Sequence, residues 1–576
     1  MGKQRKQKKR TVAAASPGSS QPDTITLSRK RLWLFRAMAI SSPFIILLLA
    51  EVAFRVIPGL NDERDPYVNI SPIAVFSRTT VDGQEYYNIT SQYVVGGNAV
   101  HILVRKPADT IRIFCLGSSA CAGWPHPRTE TFSAYLQQAL ETAYPGKKIE
   151  VVNAAAHGFA AYRTRRVLDE VLQMEPDAVI VWEGNNEFLE ERNYDPPGKI
   201  ITDLTRHLRT IQWLRTRLTS RTEMSGDKFK DVAQTFWKKT HQQSLRLRED
   251  PVQFAQVQEH FHESFRHMVS QSQHYQAPIL LCTVPVNLRD WLPTVSCNRL
   301  GGERREQWQK LYNQARRGLL EGNYPEGIQA MRQAIGLESE HAESYFWLGR
   351  LLEADGQKAA AWDSFSKARD LDYNPFRAIS SFNEMIRALA RENNGKGVYL
   401  LDLERLFADA SKYAAPGFDL FLDYVHPTKP ANLIVARNAF DLVTHRVLKN
   451  QPATEHFSYR DLPIAPNNEP YRDETDLGMK AGEITLAVIN RQYETIVSES
   501  EAVILQASGH QLTGANDPFL ENCRPPEFAE RYRVFWNYVQ VERRMILGMP
   551  VSQTEQQAAV RQVEQFYDKW YPLGKY

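Results

Sequence analysis

"RIFCLGSSACAGWP", residues 112–125, runs from an apolar stretch into a glycine, two adjacent hydroxyls and a second glycine. Ile113-Phe114-Cys115-Leu116 has the character of a buried strand. A strand that ends on Gly117-Ser118-Ser119, with Gly123 close behind, is either an idle tight turn or a serine held at the C-terminal edge of a sheet. The flanking sequence favours the second. "TFSAYLQQALETAY" (131–144) is an amphipathic helix, with apolar residues at Phe132, Tyr135, Leu136 and Leu140. "KIEVVNAAAHG" (148–158) is a second strand ending in a glycine turn, "YRTRRVLDEVLQM" (162–174) a second helix, and "PDAVIVWEGNNE" (176–187) a third strand. This β-α-β-α-β alternation predicts a parallel sheet with helices on its faces. Right-handed crossovers place the three strand C-termini along one edge, where open α/β sheets carry their active sites.

The alternation resumes downstream. "APILLCTVPV" (277–286) is a fourth strand whose exit, "NLRDWLP", carries Asn287, Arg289 and Asp290. "KGVYLLDLERLF" (396–407) is a fifth strand running into a helix, and residues 203–270 are mostly helical, with a stripe Phe254, Val257, Phe261, Phe265 and Met268. Residues 66–105 alternate in the manner of hairpins around Asp82-Gly83.

Three strand ends therefore offer polar clusters: Gly117-Ser118-Ser119, then Asn153 with Gly158, then Gly184-Asn185-Asn186-Glu187. "DYVHP" adds Asp423 and His426. Acyl transfer needs a serine within reach of a base, a carboxylate to orient the base, and donors for an oxyanion. Ser119 can be the nucleophile, His426 the base and Asp423 its partner three residues earlier. The Ser119 and Gly158 amides with the Asn186 side chain can form the oxyanion hole. Each residue also has a bland alternative: Ser119 as a helix cap, Asp423 and His426 as a capping pair, Asn186 as a turn residue. Arg289 and Asp290 either pair structurally or contact substrate, and Asn287 is grouped with Arg289 as a candidate substrate contact. His260, Glu263 and His267 share one helix face, a solvated rim by preference over a metal site.

In this order the four blocks resemble the SGNH (GDSL-type) hydrolase superfamily. "GSSACAG" matches G-D-S-x-x-x-G with Ser118 in the aspartate place. "NAAAHG", "GNNE" and "DYVH" match the second, third and fourth blocks, with Glu187 replacing the aspartate of the third. Neither replacement touches a triad group. The resemblance spans roughly residues 100–195 and 275–445. It looks nearest to bacterial members with one N-terminal transmembrane segment and tetratricopeptide repeats between the third and fourth blocks. It implies a flavodoxin-like α/β fold and serine esterase or acyltransferase chemistry on ester-linked acyl groups of envelope polysaccharide or lipid, with no metal and no organic cofactor. The rival from another class is a non-catalytic scaffold that binds partner proteins through its repeats.

The net charge of the 576-residue chain is +3, so bulk electrostatics do not favour nucleic acid. Residues 1–31 carry nine Lys/Arg against the single acid Asp23 and read as a basic tail. Residues 32–57, "LWLFRAMAISSPFIILLLAEVAFRVI", are long enough with their flanks for a membrane anchor. The basic flank places the N-terminus in the cytoplasm and the body outside, on the extracytoplasmic face of a bacterial inner membrane. A cleaved signal peptide and a buried helix stay open as alternatives. The five cysteines suit no metal site and read as buried thiols, with Cys282–Cys297 the nearest pair if the body is exported.

"ARRGLLEGNYPEGIQAMRQAIGL" from Ala315 and "GRLLEADGQKAAAWDSFSKARDL" from Gly349 align at an offset of 34 residues, pairing Gly322 with Gly356. That is the tetratricopeptide period. The two repeats are expected to lean on a helix at about 376–393. The predicted organisation is a tail (1–31), an anchor (32–57), a β-rich connector (60–105), the first part of the hydrolase domain with a helical insert (106–300), repeats (305–375), the last part of the hydrolase domain (376–450) and a helical extension (451–576).

Overall fold

The computed structural model describes residues 28–56, 75–89, 102–189, 192, 244–449, 484, 487–488, 491–523 and 526–570. Residues 1–27 of the predicted basic tail, residues 203–243 of the predicted helical stretch 203–270 and most of 451–490 lie outside them. The chain divides into two units, residues 1–66 with 198–220, and residues 67–197 with 221–576.

The described part of the first unit is one helix, α1 (Arg29–Val56). Among the described residues no helix is long and apolar enough to cross a membrane, so the anchor expected over 32–57 is not found as a span. The stretch is helical, but Arg29, Lys30 and Arg31 open it, Ser41-Ser42-Pro43 interrupts its apolar run, and Glu51 and Arg55 lie near its end.

The second unit is built on a parallel sheet of five strands: β4 (Thr110–Gly117), β5 (Lys148–Asn153), β6 (Ala178–Trp182), β7 (Ile279–Cys282) and β8 (Val398–Leu401). Before them, β1 (Phe76–Val81), β2 (Gln84–Ile89) and β3 (Ile102–Leu103) form a small antiparallel sheet whose first turn is Asp82-Gly83. The five-stranded order is β5-β4-β6-β7-β8, every pairing parallel. This is the flavodoxin-like 2-1-3-4-5 order, with its switch point beside the first strand. All eight residues of β4 are buried, as expected of a central parallel strand covered on both faces. Arg112 is the one charged residue of the strand. Its guanidinium donates to Glu150 Oε2 (2.7 Å), Met174 O (2.7 Å) and Leu103 O (3.0 Å), which ties the small sheet to the large one.

On one face of the sheet lie α3 (Phe132–Ala143), capped by Thr131, together with Leu403–Ala410 and Lys429–Leu442, capped by Asp402 and Thr428. The other face carries α4 (Ala161–Val171), α5 (Pro251–His274) and the helix Ser380–Glu392. Asp250 caps α5 through the amides of Val252 and Gln253, and Pro251 fills its first turn, a position that needs no N–H donor. The predicted stripe packs as a core seam, with Phe261 stacked on Phe382 at 4.1 Å.

The repeat segment is two helical hairpins, α6 (Gly302–Glu321) with α7 (Tyr324–Leu337), and α8 (Ala342–Ala354) with α9 (Lys358–Asp370). Gly322 and Gly356 occupy equivalent left-handed bends, at φ +78° and +82°. The helix at 380–392, expected from sequence to carry these hairpins, meets α9 at its first residue, where Ser380 bonds Arg369 and Asp370, and along its length covers β7 and β8. The hairpins also meet the C-terminal helices. The guanidinium of Arg316 in α6 pairs with Glu494 (2.9 Å) and Glu542 (2.5 Å) and lies 4.5 Å from the Trp347 ring. All five cysteines are free thiols; Cys297 and Cys523 are partly exposed rather than buried.

Gly117 is the tightest point of the sheet edge. A Cβ built there would lie 2.0 Å from the carbonyl oxygen of Trp182 on β6. Gly117→Ala is expected to lower stability by roughly 1–3 kcal/mol or more, since backbone cannot yield as a side chain would. Gly146→Ala, with open space around it, is expected to leave thermal unfolding unchanged.

Candidate active site

Close strand packing at Gly117 sets the direction of the turn that follows. Ser118 is buried at the N-cap of the one-turn helix α2 (Ser119–Ala122), and Ser119 is its first residue. Gly123 ends the turn at φ +83°, where a Cβ would sit 2.3 Å from Thr131 Cγ2. The two glycines thus bracket the serines for steric reasons. Asn153, at the end of β5, steadies α2 by donating to Cys121 O (2.9 Å) and Ser133 Oγ (3.0 Å).

The base arrives from a loop more than three hundred residues away. Leu422 N donates to His426 O (2.8 Å), closing a tight turn. Inside it Asp423 Oδ1 accepts the amides of Val425 (2.7 Å) and His426 (2.8 Å), while Oδ2 accepts His426 Nδ1–H at 2.5 Å. That bond fixes the tautomer, so Nε2 faces Ser119 Oγ as an acceptor at 2.7 Å. Asp423 is fully buried and His426 nearly so, whereas Ser119 keeps partial access to solvent. His126 reinforces the loop through Nε2, 2.7 Å from Pro427 O.

Ser119, Gly158 and Asn186 follow the C-terminal ends of β4, β5 and β6, which are neighbours in the sheet. Gly158 takes φ +69°. Among the described residues neither its amide nor that of Ser119 donates a hydrogen bond. Asn186 Nδ2 donates to Phe159 O (2.8 Å), which fixes the carboxamide beside the Gly158 turn. Two unspent backbone donors and a fixed carboxamide at one sheet edge are what an oxyanion requires.

Trp124 walls the site. Its ring lies 4.7 Å from the His426 ring and 5.7 Å from that of His157. His157 is exposed at its outer side, yet desolvation where its ring packs, and then the nearby His426, push its pKa down to about 4. A neutral His157 adds no charge opposing an imidazolium at His426.

Asn287 and Arg289 do not meet the expectation of substrate contact. Asn287 is wholly buried, and Arg289 is bound by Glu353 (2.9 Å) and Asp290 (2.6 Å) and stacked over Tyr413 at 3.8 Å. Nor is the α5 face a solvated rim throughout. His260 is buried against Arg192 Nη1 (3.0 Å) and stacked on Tyr162, while His267 meets Asp169 at 3.0 Å. No cluster of His, Cys, Asp or Glu suited to a metal occurs among the described residues.

Sequence reasoning missed Trp124 and Glu183. The sign of Glu183 was a lone carboxyl closing an apolar run. It is fully buried and accepts Gly184 N (2.9 Å) and Thr164 Oγ1 (2.8 Å), and the nearby Ser118 side chain acts weakly on the same carboxyl. Nearby Glu187 accepts Ala161 N (2.8 Å) and pairs with buried Arg192 at 2.9 Å. Burial above all, and then the charge of Glu187, push the Glu183 carboxyl well above the usual range.

No family model matches the chain, and no curated protein matches it. Among solved structures it is similar to a protein described as lipolytic, of the G-D-S-L family, from Desulfitobacterium hafniense DCB-2. The identity is 14%, with 57% of this chain and 97% of the other covered and a TM-score of 0.25. It is similar also to the acetyl xylan esterase AlAXEase (14% identity, 58% and 100% covered, TM-score 0.27). The acetylxylan esterase Axe2 from Geobacillus stearothermophilus gives 14% identity, 58% and 94% coverage and a TM-score of 0.27.

A carboxyl whose pKa folding raises contributes its full stability below its ordinary range and loses it as the pH climbs toward the raised value. The thermal midpoint of the wild type is therefore expected to fall, relative to Glu183→Gln, as the pH rises above about 4.5. Parallel thermal melts across pH check this; superimposable pH profiles would contradict it.

Proposed function

We propose that the chain is a serine hydrolase of the SGNH type, acting on acyl esters through Ser119, His426 and Asp423. The observation that carries this is the continuous hydrogen-bond chain from Ser119 Oγ through the imidazole to Asp423. Ser119 Oγ attacks the ester carbonyl while its proton passes to His426 Nε2. Negative charge on the carbonyl oxygen is met by the Ser119 and Gly158 amides and the Asn186 carboxamide. The ester C–O bond then breaks, and the proton on Nε2 goes to the departing alkoxide. Water, or the hydroxyl of a second substrate, enters by the reverse proton path and takes the acyl group from Ser119. Asp423 keeps the imidazole oriented and stabilises its cation throughout. The chemistry needs no metal or organic cofactor.

The proposal extends to where the enzyme works. The basic tail and the apolar side chains exposed along α1, among them Phe44, Ile45, Ile46, Leu48 and Leu49, support attachment to a membrane with the body on the extracytoplasmic side. Ester-linked acyl groups of envelope saccharide or lipid are then the substrates within reach. Protease added to spheroplasts is expected to digest the body and spare residues 1–31; the opposite pattern would overturn the location.

A fluorophosphonate probe is expected to label Ser119. Ser119→Ala and His426→Ala should each lower turnover of a small activated ester by about four or more orders of magnitude. Ser118→Ala should still be labelled, because His426 Nε2 meets Ser119 Oγ and Ser118 is buried. Labelling that survives Ser119→Ala but not Ser118→Ala would move the nucleophile by one residue. Wild-type turnover in all three variants would refute the hydrolase reading.

A further inference from the structure

Asn287 follows β7, is wholly buried, and every polar group it owns is engaged. Its amide donates to Tyr424 O (3.0 Å), and its side-chain Nδ2 donates to Asp423 O (2.9 Å). On the other side, Oδ1 accepts Asp290 N (2.9 Å), and its carbonyl accepts Arg377 Nη1 (2.7 Å). Two of these four bonds grip the two residues that precede Val425-His426. The next residues of the same segment hold the other end of the loop. The amides of Leu288 and Arg289 donate to Pro416 O (3.0 and 3.1 Å), and Asp290 Oδ2 accepts Phe418 N (2.9 Å). Gly417 makes room for this, since a Cβ there would lie 2.0 Å from Asp290 Oδ2.

We propose that Asn287 is a positioning residue for the Asp423–His426 pair, and that residues 287–290 brace the loop that delivers both. The proposal rests on the hydrolase reading above. The brace is itself held from outside the sheet. Asp290 and Arg289 pair with Arg350 (3.1 Å) and Glu353 (2.9 Å) on α8, and Gln492 exchanges two hydrogen bonds with Leu292 (3.0 and 3.2 Å). The second helical hairpin and the C-terminal extension thus meet at the segment that sets the orientation of the base. This gives both additions a task at the site without either one reaching it.

The side chain of aspartate has nearly the shape of asparagine but turns the donor facing Asp423 O into an acceptor. In Asn287→Asp the loop should shift and the Asp423–His426 bond should weaken. An imidazolium less well held loses its proton more readily. The acid limb of the kcat profile is therefore expected to move to lower pH, kcat to fall about 100-fold, and KM for a small ester to stay near wild type. Asn287→Ser, too short to reach Asp423 O, should change the same quantities in the same direction. Activities are taken per folded molecule, measured by near-UV circular dichroism. A wild-type kcat and acid limb in the folded variants, or an effect confined to KM, would overturn the positioning role. So would two variants that fail to fold, since Asn287 would then be a determinant of the fold. Wild-type protein that is not labelled at Ser119 removes the hydrolase reading itself, and the Asn287 proposal with it.

Discussion

One hydrogen bond, His426 Nε2 to Ser119 Oγ at 2.7 Å, joins residues 307 positions apart. A bond of this kind weakens within a few tenths of an ångström and a few tens of degrees. Both partners must therefore be held by something stiffer than their own loops. For Ser119 the support is the β4–β6 contact at Gly117, which admits no side chain, and the Gly123 turn packed on Thr131. For His426 it is the Asp423 carboxylate, whose second oxygen is occupied by two amides of the same turn. The parallel sheet brings the two supports to one edge, and of Ser119, His426 and Asp423 only the serine keeps partial access to solvent.

Around that edge the molecule buries more ionisable side chains than a purely apolar core would hold. Arg112 is satisfied by Glu150 and two carbonyls, and Glu187 by Arg192. Burying such groups is costly unless they are paired, and a broken pair is worse than none. Glu183 follows a different rule: it lacks a cation, and burial favours its neutral form.

Much of the fold was legible because its signals are local. β4, β5 and β6 are apolar runs ending at glycine turns, and the intervening helices carry their spacing in four or five residues. The hairpin glycines, Gly322 and Gly356, were legible from the 34-residue offset. The full support of the hairpins was not: helix 380–392 meets α9 through Ser380 and along its length covers β7 and β8, while Glu494 and Glu542 come from far downstream. Asn287 and Arg289 stand at the active edge in the sequence, with substrate contact and, for Arg289, structural pairing with Asp290 both open; the structure shows the pairing. Their position after the strand was legible, but the direction of their side chains depends on Asp423 and Glu353, which no local pattern reveals. Trp124 was hidden for the same reason: its role rests on two histidines that reach it from other loops.

The central claim is that Ser119 carries the acyl group. Mass mapping of protein quenched during turnover of an acetyl ester tests it most directly. The account predicts one acetyl group on the peptide containing Ser119, formed in the wild type and absent from Ser119→Ala. Turnover with no acetyl on that peptide under any quench, or acetyl on another residue that persists in Ser119→Ala, would contradict it.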